Sequence, residues 1–364
     1  MNNKNKKIII LHDYFLYKGG GERLIITLAK KLKADIITAF IVKDAFDPRD
    51  YGIKTKELVK KSHFSNIPGV RHITVQLSFF LKTKFLKNYD TVIYSGDVVN
   101  AVYSSRGKNI AYVHTPPRHL YDNYELRISQ YKFLKRQIFK VYALVSRFRF
   151  EKGIKKMDEI IVNSKTIQRR VKKYLNLESK VVYPPCDVGK FKWINQGDYY
   201  FSWARLYDVK RVDKIVEVFV KMPDKKLIVA SSGPELKKIK KIAKGHNNIK
   251  ILDWITDEEL LELLGKCIAT IYIPINEDFG MSPVESMSAG KPVIGVDEGG
   301  LQETIVQNKT GILIRSDFNI NDIVDAVKKL NKERALIMRG DCENRAKEFS
   351  EEGFIQGMKE IIYK

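Results

Sequence analysis

The sequence has little of what marks secreted or membrane-spanning proteins. Its only cysteines, Cys186, Cys267 and Cys342, are far apart and match neither a disulfide framework nor a metal site. No apolar run approaches the roughly 18 residues that a membrane-spanning helix needs. The first apolar stretch, residues 8–11, is too short for the core of a signal peptide. We therefore expect a reducing compartment and no secretion.

Glycine and proline are also modest in number, at 22 and 11 of 364 residues, and no segment is of low complexity. Hydrophobic residues make up 44% of the chain and aromatic residues 11%. This composition excludes a disordered or collagen-like protein. The length predicts about two domains, at roughly 150 residues each.

Acidic residues are scarce only in the first half of the chain. Residues 1–184 have 37 Lys and Arg against 15 Asp and Glu, a net charge of +22, whereas residues 185–364 have 28 of each. A lysine-rich proteome is one explanation. A one-sided excess favours another, an anionic partner of the first domain such as a membrane surface or a phosphorylated acceptor. No nucleic-acid-binding motif accompanies the charge, so we expect no nucleic acid.

Short apolar runs alternate with amphipathic stretches along the whole chain, which is typical of parallel strands joined by helices. Pro184 and Pro185 interrupt this pattern before it restarts. We expect a domain over residues 1–185, a second over 186–345, and a C-terminal helix over 346–364 that packs back towards the first domain. The predicted strands are 8–11, 35–40, 91–94, 110–113, 159–162, 181–183, 199–202, 226–230, 249–252, 270–273, 293–296 and 312–314; helices include 212–220, 235–243, 258–264 and 320–330.

The acidic loop at residues 276–280 and the helix start that follows it carry the most information. Ser282, Pro283 and Glu285 have the spacing of an N-cap, a first helical residue and a capping-box glutamate, which gives Glu285 an ordinary structural explanation. Glu277 adds a carboxylate that can accept hydrogen bonds from neighbouring sugar hydroxyls. Gly280 lets the backbone approach a ligand, and the free N–H groups of a helix start favour anions.

These residues resemble a known signature. Glu277 and Glu285, separated by seven residues, look like the E-x7-E motif of retaining glycosyltransferases of family 4. Other motifs follow in the family's order over about residues 7–315: Tyr112-Val113-His114-Thr115-Pro116-Pro117-Arg118, Val162-Asn163-Ser164, Tyr183-Pro184-Pro185-Cys186-Asp187, Ala204-Arg205-Leu206, Lys210-Arg211-Val212-Asp213, Gly299-Gly300-Leu301-Gln302-Glu303 and Thr310-Gly311. The resemblance implies the α/β GT-B fold, two Rossmann-like domains facing each other across a cleft. The His-Thr-Pro-Pro-Arg and Glu-Asp-Phe-Gly-Met forms are similar to the branch rich in mannosyltransferases.

The resemblance also implies a catalytic set. Arg205 and Lys210 would hold the donor diphosphate and stabilise the charge that grows on the leaving phosphate. Glu277 and His114 would contact the donor sugar, with His114 as a hydrogen-bonding group and not a general base. The ordinary alternatives are surface charge for the two cations and a structural role for the histidine.

Further residues are expected around the donor and the acceptor. The donor-binding set that the resemblance implies is Gly20, Gly21, Gly233, Ile255, Phe279, Gly280, Met281, Ser282 and Glu285, with Glu285 on the ribose. Asp13 and Arg118 are expected on the acceptor side. The glycines near residue 20 do not form a Gly-x-Gly-x-x-Gly fingerprint, so dinucleotide binding is not supported. No Asp-x-Asp metal motif occurs in a comparable position, so we expect neither a metal nor another cofactor.

The resemblance thus implies a retaining, metal-independent transferase that moves a sugar from a nucleoside diphosphate to a hydroxyl of a lipid-linked or surface-glycan acceptor. GDP-mannose is the first candidate donor. UDP-glucose, UDP-N-acetylglucosamine and an inactive GT-B-like binding protein stay as alternatives, although the intact set of charged residues argues against inactivity. We expect a cytoplasmic protein, peripheral on the inner face of the cytoplasmic membrane. Residues 77–87 and 131–150, both basic and aromatic, are either membrane contacts or helices packed on their own domain.

Overall fold

The computed structural model describes residues 6–59 and 68–364. The chain divides into two units, the first made of residues 1–183 and 355–364 and the second of residues 184–354. The divisions thus fall at Tyr183–Pro184 and Phe354–Ile355, close to the prolines that interrupt the sequence pattern and inside the last helix. Each unit is built on a parallel sheet.

In the described part of the first unit, seven strands form a sheet in the order β3-β2-β1-β4-β5-β6-β7, all parallel to their neighbours. These strands are β1 (Ile8–His12), β2 (Asp35–Thr38), β3 (Thr55–Glu57), β4 (Thr91–Ser95), β5 (Lys108–Val113), β6 (Glu159–Val162) and β7 (Lys180–Val181). The helices between them are α1 (Gly20–Leu32), α2 (Pro68–Leu81), α3 (Tyr124–Gln130), α4 (Phe133–Ile154) and α5 (Lys165–Leu175).

In the second unit, whose residues are all described, six parallel strands follow the order β10-β9-β8-β11-β12-β13. They are β8 (Tyr199–Ser202), β9 (Lys226–Ala230), β10 (Ile249–Leu252), β11 (Thr270–Tyr272), β12 (Val293–Val296) and β13 (Gly311–Ile314). Its helices are α6 (Val212–Val220), α7 (Leu236–Ala243), α8 (Asp257–Lys266), α9 (Met281–Ser288), α10 (Leu301–Thr304), α11 (Ile320–Lys329), α12 (Lys332–Ile337) and α13 (Arg339–Lys347).

The last helix, α14 (Glu351–Tyr363), carries the chain back into the first unit. There the Lys108 ammonium donates to the Ile361 carbonyl at 2.6 Å, and Gly357 lies against Val182. Among the described residues, none of the helices combines the length and the apolar character that crossing a membrane requires.

The central strands are apolar on both faces because helices cover both sides of a parallel sheet. All five residues of β1 and all four of β12 are buried. In each sheet the strand order reverses once, between β1 and β4 in the first unit and between β8 and β11 in the second. Ligands of open α/β sheets bind beyond the carboxyl ends of the strands at such a reversal, so these two places position the candidate site.

The start of α9 differs from the capping box predicted from the sequence. Gly280, with φ 92° and ψ 75°, is the N-cap, and no side chain caps the helix. The left-handed turn at Gly280 brings the chain into the helix at Met281, so Ser282 already lies inside the first turn. The predicted N-cap role of Ser282 is therefore wrong, and Glu285 is not a capping-box residue.

Smaller differences concern strand ends. The strand predicted over residues 35–40 ends at Thr38, and the one predicted over 181–183 is β7, at residues 180–181. β3 was not predicted. It has only three residues, none of them apolar, at the edge of the sheet, where half-buried polar residues suffice.

Candidate active site

In the second unit, two loops meet at the reversal of strand order. One follows β8 and contains a short 3-10 turn, Asp208–Lys210; the other follows β11 and leads into α9. The Ile275 N–H donates to the Val209 carbonyl at 2.8 Å, which joins the loops through their backbones. Side chains at the tips of both loops can therefore act on one ligand.

Lys210, Tyr272 and Glu277 form a closed hydrogen-bonded triangle at this place. The Lys210 ammonium donates to Glu277 Oε2 at 2.6 Å and to the Tyr272 hydroxyl at 2.8 Å, and that hydroxyl donates to Glu277 Oε2 at 2.9 Å. Burial, followed by the nearby Glu277 carboxylate, raises the pKa of Tyr272 well above its ordinary value. Tyr272 thus stays a neutral donor that fixes the carboxylate.

An ammonium group has three N–H donors, and the triangle uses two of them. Lys210 and Glu277 are both about four-fifths covered, so the pair is accessible without being fully solvated. The third donor of Lys210 can bind an anionic oxygen. The geometry holds one fixed positive charge beside a carboxylate that can accept from a hydroxyl.

Arg211 locks the β11 loop in place. Its guanidinium donates to the carbonyls of Ile273 and Pro274 at 2.6 and 2.8 Å and stacks on the Phe318 ring. Burial lowers the pKa of Arg211 from its ordinary value. Arg211 stands in one of the family-like motifs of the sequence, but its role could not be predicted, because an arginine that binds backbone carbonyls has no separate sequence signal.

Two glycines pack directly against the backbone of the same loop. The Gly300 N–H donates to the Glu277 carbonyl at 2.8 Å. A Cβ on Gly300 would lie 2.6 Å from the Phe279 carbonyl oxygen, and one on Gly299, which has φ +62°, would lie 3.0 Å from the Glu277 nitrogen. Glycine is needed at both positions because the backbone of the acidic loop lies directly on them.

The helix start brings several predicted donor-binding residues to this loop. Met281 and Ser282 are partly exposed in the first turn of α9, where N–H groups lack helical partners. Glu285 is partly exposed one turn further on. The side chain of Phe279 is buried and its ring packs on Phe349 with 5.4 Å between centroids, so the ring is not exposed to a ligand.

The remaining predicted donor residues of this unit lie on neighbouring loops. Arg205 is exposed, three residues after β8. A Cβ on Gly233 would lie 2.5 Å from the Leu206 carbonyl oxygen, so Gly233 packs directly on the loop that carries Arg205. Ile255 is partly buried in the turn between β10 and α8. Lys291, which follows α9, is buried, and its ammonium donates to the Asn195 carbonyl at 2.6 Å.

In the first unit, a hydrogen-bonded chain of three side chains crosses the strand reversal. His12 Nδ1 lies 3.0 Å from Ser95 Oγ, which lies 2.9 Å from His114 Nε2. Burial lowers the pKa of His12 to about 3 and that of His114 to about 4. Both imidazoles are therefore neutral at pH 7, and Nδ1 of His114 is the ring nitrogen left for a ligand.

The glycine loop lies against the same histidine. Gly20 and Gly21 are the first residues of α1, and a Cβ on Gly21 would lie 3.5 Å from His114 Cε1. The structure therefore brings Gly21 and His114 together, as neighbours within the first unit. Gly20 is exposed at the helix start.

Two carboxyl groups stand beside this chain. Asp13 follows β1 and accepts from the Asp97 N–H at 2.9 Å, while its Oδ1 is buried without a hydrogen-bond partner. Burial and the neighbouring Asp97 raise the pKa of Asp13 well above its ordinary value, and burial raises the pKa of Asp97 to about 6. Asp97 is not among the predicted site residues; the sequence signal for it is an acidic residue two positions after a buried strand.

Arg118, the other predicted acceptor residue, is partly buried, and its Nε donates to Asp122 Oδ2 at 2.9 Å, an ion pair within the first unit. Among residues 6–59 and 68–364, no three His, Cys, Asp or Glu side chains are grouped as metal ligands would be.

Known proteins resemble this chain in sequence and in fold. Residues 189–349 match the family model described as Glycosyl transferases group 1. An uncharacterized glycosyltransferase of Methanocaldococcus jannaschii is 27% identical over 225 residues, which are 60% of this chain and 63% of that protein. The alpha-1,3/1,6-mannosyltransferase ALG2 of Dictyostelium discoideum is 34% identical over 121 residues, 32% of this chain and 28% of ALG2. The chain thus spans less than two thirds of the length of these curated relatives.

Among solved structures, HepE of Anabaena in complex with UDP and glucose matches with a TM-score of 0.77. It is 17% identical, and the match covers 99% of this chain and all of that one. The GT-B fold class predicted from the sequence is confirmed, as is the resemblance to group 1 glycosyltransferases.

Proposed function

We propose that the chain transfers a sugar from a nucleotide-sugar donor to an acceptor hydroxyl, because residues 189–349 match the family model described as Glycosyl transferases group 1. The observation that carries this proposal is the Lys210–Tyr272–Glu277 triangle at the strand reversal, beside the start of α9. Such an arrangement suits a diphosphate next to a polyhydroxylated ring.

In this proposal, Lys210 and Arg205 bind the diphosphate oxygens of the donor. Their charge opposes the negative charge that develops on the leaving phosphate as the bond to the sugar breaks. The third N–H of Lys210 is the donor available for this purpose, since Glu277 and Tyr272 hold the other two. The N–H groups at the start of α9 add a favourable dipole for the anion.

Glu277 accepts a hydrogen bond from the donor sugar, and Glu285 binds the ribose. His114, neutral at pH 7, contributes Nδ1 to a sugar hydroxyl and does not act as a base. In a retaining transfer, the acceptor oxygen bonds to the anomeric carbon on the face that the phosphate leaves, and the departing phosphate oxygen takes the acceptor proton. Neither step requires a metal.

Mannose from GDP-mannose is the first candidate donor. The supporting observations are the His114–Arg118 motif and the similarity of part of the chain to ALG2, a mannosyltransferase. A UDP-sugar is the second candidate, because HepE, which shares the fold, binds UDP and glucose. The proposed acceptor is lipid-linked or part of a surface glycan. The proposed place is the inner face of the cytoplasmic membrane, where anionic lipid meets the basic first unit.

A panel of sugar nucleotides tests the proposal. The full chain is incubated with GDP-mannose, UDP-glucose or UDP-N-acetylglucosamine and a membrane glycolipid extract, and released GDP or UDP is measured. We expect one donor to be cleaved at least tenfold faster than the others, with retained anomeric configuration by NMR. Release from no donor would contradict the proposed activity, and an inverted product would contradict the retaining mechanism.

A further inference from the structure

The exposed side of α4 is apolar along most of its length. Its other side is in the core, where Ala143 and Phe150 are buried. The exposed side presents large apolar side chains at helical spacing, each between 45% and 72% exposed: Leu134, Ile138, Val141, Val145 and Phe148, with Leu144 beside them. We call these six residues the α4 stripe. A single exposed leucine is ordinary, but a continuous apolar row on a surface helix indicates a contact.

Cations border the α4 stripe. At 100° per residue, Lys140 lies on one side of it, and Lys135 and Arg149 lie on the other, all three exposed. Within the described part of the chain, none of these three forms an ion pair with a carboxylate, although the Lys135 ammonium lies 4.6 Å from the centre of the Tyr131 ring. Their aliphatic stems can lie along the apolar row while the charges stay in water.

A second apolar row lies on α2 of the same unit. Ile73, Leu77, Phe80 and Leu81 are exposed there, and both α2 and α4 pack on the turn formed by residues 99–104. The basic stretch that follows α2 is less available. Lys82 donates to the Leu58 carbonyl at 2.7 Å, and Lys56 lies over the Phe85 ring. Of the two basic and aromatic stretches in the sequence, α4 therefore offers the better contact surface.

We propose that the α4 stripe is a docking surface for an anionic lipid bilayer, on which α4 lies parallel to the membrane. The apolar row would enter the boundary between headgroups and acyl chains, and the bordering cations would meet lipid phosphates. This proposal rests on the proposed function for its membrane partner and names the surface that binds it. It does not depend on catalysis, because vesicle binding needs no donor or acceptor.

Charge selects this occupant over the alternatives. A second copy of the chain would place two strongly basic first units against each other, since residues 1–184 have a net charge of +22. Nucleic acid would satisfy the cations but leave the apolar centre of the stripe without a partner. Only an anionic surface with an apolar interior complements both parts.

Matched triple variants test the proposal by vesicle co-sedimentation. Leu134→Gln, Val141→Gln and Phe148→Gln together remove the centre of the stripe at positions that contribute little to the core. The control triple variant, Ile194→Gln, Leu336→Gln and Ile337→Gln, removes exposed apolar residues of the second unit. With phosphatidylglycerol vesicles at low salt, we expect the α4 variant to bind at least tenfold more weakly than the wild type, and the control to bind within twofold.

A site-specific label measures insertion directly. The three native cysteines are buried, so a cysteine introduced by Val141→Cys can be labelled selectively with an environment-sensitive fluorophore. We expect a blue shift on phosphatidylglycerol vesicles, a weaker one at high salt, and none on neutral phosphatidylcholine vesicles. The same label at position 337, through Ile337→Cys, should not respond.

Three results would overturn the proposal. The first is equal vesicle binding by the wild type and the α4 variant. The second is equal binding to neutral and anionic vesicles. The third is a wild-type dimer in sedimentation velocity that the α4 variant converts to a monomer, which would assign the stripe to self-association. None of these results bears on sugar-nucleotide cleavage in solution, so the proposed activity is tested separately.

Discussion

The two units have the same strand order around the reversal but place different chemistry there. In the first unit, His12, Ser95 and His114 form a neutral hydrogen-bonded chain. In the second unit, Lys210 and Glu277 form an ion pair. The difference shows that the fold supplies a place where loops gather, while the residues on those loops decide which ligand group each unit can bind.

The surfaces of the two units also differ, in net charge and in exposed apolar residues. The first half of the chain has the whole net charge and the α4 stripe, whereas residues 185–364 are electrically balanced. A balanced surface with fixed cations at one edge suits a small anionic donor. A basic surface with an apolar row suits a large anionic interface.

The largest expected effect is on Lys210. Replacing it by alanine removes a preorganised positive charge from the proposed diphosphate site, so turnover with saturating donor should fall about 10²-fold or more. Lys226→Ala is the matched control, because Lys226 forms an exposed ion pair with Asp198 on another edge of the second unit. Near wild-type turnover by Lys210→Ala would contradict the proposal that Lys210 binds the donor diphosphate.

The acidic loop should be sensitive to the glycine beneath it. Gly300→Ala places a methyl group against backbone atoms of Phe279 and Asp278, which cannot move aside as a side chain would. We expect a loss of stability of about 1–3 kcal/mol and reduced donor binding. Gly340→Ala, where no atom lies within 4 Å of the new methyl group, should be neutral or slightly stabilising. Equal effects of the two substitutions in urea unfolding would contradict the close packing.

The buried histidines should make the first unit sensitive to acid. The pKa of His114 in the folded chain is about 4, below its ordinary value near 6.5, so its contribution to stability is present above pH 6.5 and is lost as the pH falls towards 4. Between pH 6.5 and 5, the wild type should lose up to about 2 kcal/mol more than His114→Gln.

The carboxyl groups beside His114 act in the opposite direction. The raised pKa of Asp97, about 6, gives stability that is lost as the pH rises from about 4 to 6. Comparing the wild type with His114→Gln cancels this contribution, since Asp97 is present in both. Urea unfolding, followed by far-UV circular dichroism, gives the slope of the free energy of unfolding against pH for the wild type and for His114→Gln. Identical slopes would contradict the buried neutral histidine.

The smallest expected effect is that of a chelator. If Arg205 and Lys210 supply the charge that the leaving diphosphate needs, excess EDTA should leave turnover unchanged. An activity that EDTA abolishes and magnesium or manganese restores would show that a metal shares the role given to these two side chains.

Much of the fold could be predicted because buried parallel strands are short apolar runs separated by helices. Strands such as β6 and β8 have the predicted bounds. The start of α9 could not be predicted, because the local Ser-x-x-Glu pattern indicates a capping box, whereas the left-handed conformation of Gly280 sets the helix start. Local patterns fail where a loop conformation depends on packing elsewhere in the unit.

Part of the candidate site also could not be predicted from the sequence. Lys210 and Glu277 are visible as charged residues in motifs, but Tyr272 reads as the end of an apolar strand, and only the structure shows its hydroxyl bonded to both. Asp97 is a single acidic residue after a strand and becomes notable only beside Asp13. Their roles arise from pairs of residues distant in the chain, which one sequence cannot show.

The most direct measurement is the equilibrium binding, by isothermal titration calorimetry, of the nucleoside diphosphate that the donor panel selects. If the second unit holds the diphosphate by fixed charge, Lys210→Ala should weaken binding about tenfold or more, since a charged hydrogen bond contributes roughly 1.5–3 kcal/mol. His114→Ala, which removes a proposed contact to the sugar alone, should leave the same affinity within twofold. Loss of affinity in His114→Ala together with unchanged affinity in Lys210→Ala would contradict the division of roles between the two units.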